Sequence, residues 1–183
     1  MRVVAERVVP PELAEQAWQI YAEAFEEMKI RAVQRHVLYR HEFDEVMTDE
    51  RVRKLLYVDQ RRPDRIRGVA TVTDDLSAIP LVSPEYFAHH WPDLYEQRRI
   101  WYVGFLAVHP TDRGTGAFAR LTREIWRPVL AAGGMAVVDV CRHNDGLGFH
   151  RAIHHALGSL GGGIRAEHID DQSYWIYEAP TPS

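Results

Sequence analysis

The residues best suited to chemistry are Arg113-Gly114-Thr115-Gly116. They lie between an aromatic, β-branched run ending in Val108-His109-Pro110 and a segment with helical spacing. Glycines let the backbone approach a ligand closely. The first-turn N–H groups of a helix have no partner within the helix, so a strand, a glycine turn and a helix N-terminus together make an anion site. Two nucleotide-binding patterns share that topology, and neither fits. No lysine followed by Ser or Thr comes after the glycines, which excludes a P-loop. No complete G-x-G-x-x-G with an acidic residue about 20 positions later is present, which excludes the Rossmann fingerprint. Asp139, inside the apolar run Val137-Val-Asp-Val-Cys141, is a candidate base. A carboxylate in a buried strand must be paired or face a cavity. Cys141 falls on the same side of that strand and reads as a small packed residue. His150 and His154 stand four apart on a predicted helix, a spacing that can hold zinc. No HExxH glutamate or cysteine cluster accompanies them, and no metal is expected.

Composition limits the setting in which such a site works. The chain has 183 residues, 46% apolar and 26% charged, as expected for one globular domain with a real core. A formal net charge of −4 gives no global pull on nucleic acid or anionic membrane, so neither is expected as a partner. Cys141 is the one cysteine, which excludes an intramolecular disulfide and suits a reducing compartment. No apolar run approaches the roughly 20 residues of a membrane-spanning helix. The first residues, MRVVAERVVPPELAEQ, lack a signal-peptide stretch, so a cytoplasmic location is expected.

The elements that position the site are read from periodicity. Arg2 to Val9 reads as a strand, stopped by Pro10-Pro11, which presets a helix. Leu13, Ala17, Ile20, Tyr21, Ala24, Phe25 and Met28 then recur at helical spacing. A further helix is expected around His41 to Met47. Leu55 to Val58 and Ile66 to Thr73 read as strands joined by a polar connection. Residues 74–99 look like an insertion of short, proline-broken helices rich in aromatics. Ile100 to Val108 reads as the central strand. A helix from about Gly116 to Ala131 follows, with Pro128 as a misfit. Met135 to Cys141 reads as a strand buried on both faces. Leu147 to Leu157 reads as a helix stopped by Gly158. Ile164 to Ile169 and Ser173 to Glu178 read as a closing hairpin. The expectation is a mixed α+β fold whose mostly antiparallel sheet of about seven strands is flanked by helices.

The run L-A-V-H-P-x-x-R-G-x-G before a helix, together with the element order, resembles the GNAT superfamily of acyl-CoA-dependent N-acetyltransferases. The motif covers about residues 105 to 121, the element order essentially the whole chain. The resemblance implies a single domain over 1–179, with an insertion at 74–99 and a loose tail at 180–183. It implies acetyl-CoA or another acyl-CoA as co-substrate and a small-molecule amine attacking the thioester directly. Backbone groups of Arg113, Gly114, Thr115, Gly116, Ala117 and Phe118 would cradle the pyrophosphate. Phe105, Leu106 and Val108 would meet the pantetheine amides, and Asn144 matches the family's asparagine after the next strand. Two positions depart from the pattern. Phe118 stands where Gly or Ala is usual, and Arg151 where a catalytic tyrosine is usual. The proton-transfer candidates are then Asp139 as base, with His150 or Tyr177 on the closing hairpin as acid. A non-catalytic acyl-CoA-binding or protein-interaction module on the same fold is the alternative. A homodimer stays open, and the insertion reads equally as lid, dimer contact or cap over a sheet edge.

Overall fold

The computed structural model describes residues 1–178 apart from Gln34, His36, Leu81, Ser159, Gly161 and Gly162. The boundary at 179 and the tail at 180–183 lie outside the described residues. The chain opens with β1 (Arg2–Glu6), α1 (Pro11–Phe25), α2 (Met28–Arg31) and α3 (Arg40–Thr48). It continues with β2 (Arg53–Val58), β3 (Ile66–Thr73), α4 (Pro84–His90), α5 (Pro92–Glu96) and β4 (Ile100–Val108). The last elements are α6 (Ala117–Ala132), β5 (Met135–Val138), α7 (Arg142–Gly146) and α8 (Phe149–Gly158). The strands form one sheet in the order β1-β2-β3-β4-β5. Neighbours are antiparallel except β4 and β5, which run parallel across the α6 crossover.

Helix periodicity explains the two layers. Ala14, Ala17, Ile20 and Tyr21 of α1 are buried and pack with Phe43 and Met47 of α3 on Leu56, Val69 and Ala107 of the sheet. On the opposite face, α6 buries Ala117, Leu121, Ile125 and Val129, each four residues from the last, against Leu55, Tyr57, Ala70 and Trp101. Pro128 removes one helical donor, yet α6 runs four residues beyond it. The helix ends at Gly133, whose φ of +58° closes a C-terminal motif with Gly133 N–H on Leu130 O and Gly134 N–H on Val129 O. The 74–99 segment does form short helices, and it covers part of the α1 face. Leu76 and Phe87 pack on Ile100 and Tyr102, with Tyr86, Trp91 and Tyr95 around them.

Two expectations are corrected at the C-terminal end. Residues 163–178 carry no helix or strand and are almost entirely exposed, so the expected hairpin is absent. The described sheet therefore has five strands rather than about seven. The Met135 to Cys141 strand ends at Val138 and is half-buried, not buried on both faces. The causes are linked: β5 pairs with β4 alone, so its outer edge lacks the neighbour that would have covered it.

Candidate active site

The central strand changes partners along its length. β4 pairs with β3 from Tyr102 to Val108, but with β5 only from Ile100 to Val103. Beyond Val103 the side of β4 facing β5 is open. The register with β3 slips at the same place: Thr71 sits opposite Phe105 and Val72 opposite Val103, which leaves Gly104 as a bulge. Gly104 is exposed although it lies in the middle of the central strand. Its lack of a side chain is required there, because a Cβ would stand 2.6 Å from Thr71 Oγ1.

The bulge reverses which side chains face which layer. Ile100 and Tyr102 face the insertion, and after Gly104 it is Phe105 and Ala107 that lie on that same face, under α1. The Phe105 ring is a core group, 4.7 Å from Tyr21 and 5.8 Å from Phe43 between ring centres. Burial pushes the Tyr21 phenol up to about 12, against a hydrogen bond it accepts from Leu38 N–H. Strand backbone groups alternate in direction. The Phe105 N–H donates to Thr71 Oγ1 at 3.2 Å and the His109 N–H to Arg67 O at 2.9 Å, both toward β3. Leu106 and Val108 therefore present their backbone groups to the open side, and Phe105 does not.

The open edge runs into the glycine turn. Gly114 and Gly116 have φ of +78° and +83°, and a Cβ on either would meet nothing within 4 Å. These conformations favour glycine, and the space around them is free for a ligand. No side chain caps α6, and no acid stands in its first turn. Arg113 is exposed beside these donors. Phe118 turns away and packs edge-on against Phe149 of α8, 5.4 Å between ring centres. Within the turn the Arg113 N–H donates to Pro110 O and the Thr115 N–H to Asp112 O, each at 3.2 Å, so these two expected cradle donors are engaged. The remaining set of Gly114, Gly116 and first-turn N–H groups, with the Arg113 side chain, fits a pyrophosphate.

The candidate proton-transfer groups occupy different places. Asp139 lies one residue past β5 and is exposed, not buried as the apolar run had suggested. The Tyr102 hydroxyl, itself buried, donates to Asp139 Oδ1 at 2.7 Å. Burial first, and the carboxylate second, push the Tyr102 phenol well above its usual range, so it remains a donor. Cys141 Sγ lies 3.9 Å from Met28 Sδ, which ties the end of β5 to α2. His150, at the start of α8, has Nδ1 at 2.6 Å from Asp145 Oδ1 of α7. The Phe149–Phe118 contact brings this pair close to the N-terminal end of α6. Asn144 is half-buried in α7 beside Asp145. Tyr177 is 90% exposed on the segment that forms no hairpin, so the structure does not bring it to the others. Sequence reasoning missed Tyr102 and Asp145. A polar tyrosine in an otherwise apolar strand was the available sign for the first, and an acid five residues before a helix histidine for the second.

No family model matches the sequence, and no curated protein does. Solved structures do match. An aminoglycoside acetyltransferase from an uncultured soil metagenomic sample superposes at a TM-score of 0.55 and 15% identity, covering 96% of this chain and 97% of its own. A transcriptional regulator from Bacillus halodurans gives 0.55 at 15% identity, over 95% and 100%. Tetrahymena GCN5 gives 0.51 at 11% identity, over 85% and 81%. At this distance in sequence the likeness is one of fold, and the fold is that of the GNAT acetyltransferases.

Proposed function

We propose that this chain transfers an acetyl or other acyl group from acyl-CoA to an amine by direct attack in a ternary complex. The observation that carries the reading is the parting of β4 from β5 at a bulged glycine, on a strand that leads into an uncapped helix N-terminus. Acyl-CoA supplies an activated thioester carbonyl. Leu106 and Val108 offer backbone groups to its pantetheine arm, and the N–H groups of Gly114, Gly116, Ala117 and Phe118 with the Arg113 side chain hold the phosphates. Asp139, oriented by Tyr102, takes the proton that the amine must lose as its bond to the acyl carbon forms. His150, oriented by Asp145, supplies the proton that the departing thiolate takes up as the carbon–sulfur bond breaks. Positioning supplies much of the acceleration in such a reaction. The lone Cys141 supports a reducing, cytosolic setting.

A second reading, an acyl-CoA-binding module without turnover, is favoured by Arg151 at the position of the family's tyrosine and by the fold's occurrence in a protein described as a transcriptional regulator. Thiol release from acetyl-CoA separates the two. We expect release that depends on added amine, screened over polyamines, amino acids and an aminoglycoside such as sisomicin, with which the metagenomic acetyltransferase has been crystallised. Binding without amine-dependent release would establish the module instead.

A further inference from the structure

We infer that Arg67 is a positioning residue for the phosphate loop, and that it acts by neutralising Asp112, a carboxylate built into that loop. This rests on the acyl-CoA reading above and adds to it a residue 46 positions away in sequence from Arg113.

Asp112 closes the short 3-10 turn that follows β4, immediately before Arg113. Its backbone carbonyl accepts from Thr115 N–H at 3.2 Å and from Thr115 Oγ1 at 2.7 Å. A turn closed this way keeps its end Cα atoms within about 7 Å. Asp112 therefore stands within a turn's width of the glycines whose N–H groups face the anion. Its side chain is only 15% exposed. An unpaired carboxylate there would oppose a pyrophosphate by direct repulsion, which salt weakens because the surrounding loop is exposed.

Arg67, on β3, answers that charge. Its guanidinium meets Asp112 Oδ2 through Nε at 2.7 Å and Nη2 at 2.6 Å, and Nη2 also donates to Thr111 Oγ1. Thr111 Oγ1 donates to Asp112 Oδ2 at 3.1 Å and lies 2.9 Å from His109 Nδ1. The His109 N–H on Arg67 O and the Asp112 N–H on His109 O, at 2.8 Å, complete the set. β3 thus fixes both the shape and the charge of the turn. Because Arg67 is spent on Asp112, Arg113 stays available to the phosphates.

The test is calorimetric titration with coenzyme A itself, at low and at high salt. It uses wild type, Arg67→Met, Arg67→Lys, Asp112→Asn and the double variant Arg67→Met/Asp112→Asn. We expect Arg67→Met to weaken binding at least ten-fold at low salt, about 1.4 kcal/mol, with a smaller loss at high salt. The double variant should recover most of that loss, and Arg67→Lys should stay within about three-fold of wild type. Recovery in the double variant distinguishes charge neutralisation from a merely structural strut, which removing both partners would not repair. Thermal unfolding of each variant checks that the fold persists. Arg67→Met binding as tightly as wild type, or a double variant no better than Arg67→Met alone, overturns this inference and leaves the acyl-CoA reading standing. Wild type that binds no coenzyme A overturns both.

Discussion

Gly104→Ala is the perturbation whose consequence the structure fixes most closely. The new Cβ would stand 2.6 Å from Thr71 Oγ1, about 1 Å inside ordinary contact. Thr71 is 2% exposed and cannot swing into solvent. Its Oγ1 is also the acceptor for the Phe105 N–H. Moving it both overpacks a tight strand pair, at about 1–3 kcal/mol, and strands a backbone donor, at about 1–3 kcal/mol. Partial relaxation makes about 2–4 kcal/mol the expected total, against a typical domain stability of about 5–15 kcal/mol. Urea unfolding followed by tryptophan fluorescence reads this directly, since Trp101 sits in β4 itself. With a denaturant slope of about 2 kcal/mol/M, the midpoint should fall by about 1–2 M. Thr71→Ala removes the clashing oxygen, so the double variant should be less destabilised than the sum of the singles, by about 1–2 kcal/mol. A Gly104→Ala midpoint within about 0.2 M of wild type, or strict additivity in the double variant, would refute the bulge as described.

Three further outcomes are expected. Lys54 is fully buried, with Nζ donating to Arg7 O and Asp49 O at 2.6 Å each, and burial pushes its ammonium down to about 8. Between pH 8 and about 10.5 the unfolded chain then binds more protons than the native one, so stability should rise with pH across that window; urea midpoints of wild type and Lys54→Met compared at pH 7 to 10 check this, the variant losing the rise. Glu42 is held down to about 2, first by Arg35 and then by the Tyr39 N–H at 2.6 Å. The stability it lends to the start of α3 should be present above about pH 4.5 and be lost as pH falls through about 2; Glu42→Ala should cost about 1 kcal/mol at pH 7 in urea unfolding and clearly less at pH 2. Asp139→Asn should lower kcat about 10²–10⁴-fold while leaving the acetyl-CoA dissociation constant unchanged, as read by thiol release and calorimetry on the same preparation.

Helices α1, α3, α6 and α8 and the first four strands were legible because their periodicity is local, whereas the short α7 was not. α1 announces itself with Pro10-Pro11 and spaced apolar residues, and β4 runs from Ile100 to Val108 as its composition implies. The glycine turn was legible for the same reason. The sheet's far end was not. A strand forms only where a partner pairs with it, so the strand-like composition of residues 164–178 did not produce strands, and β5 stopped at Val138. Asp139 could be picked out as an acid in an apolar run, but its partner is 37 residues away on β4 and depends on the parallel register of Tyr102 with Val137. Arg67 and Asp112 meet across 45 residues with no sequence signature at all. Gly104 could have been found, since a glycine in the middle of an apolar strand marks a bulge or a close approach. The resemblance named Phe105, Leu106 and Val108 as pantetheine contacts, and past the bulge only Leu106 and Val108 turn their backbone groups to the open side.

The proposed function stands or falls on acyl-CoA binding at the parted β4 edge and the α6 N-terminus. Titration calorimetry of acetyl-CoA into wild type and Arg113→Glu tests it most directly. Micromolar binding to wild type and a loss of at least ten-fold in the variant are expected, with both proteins folded. A folded wild type that binds no acetyl-CoA, or equal binding by both proteins, would contradict it.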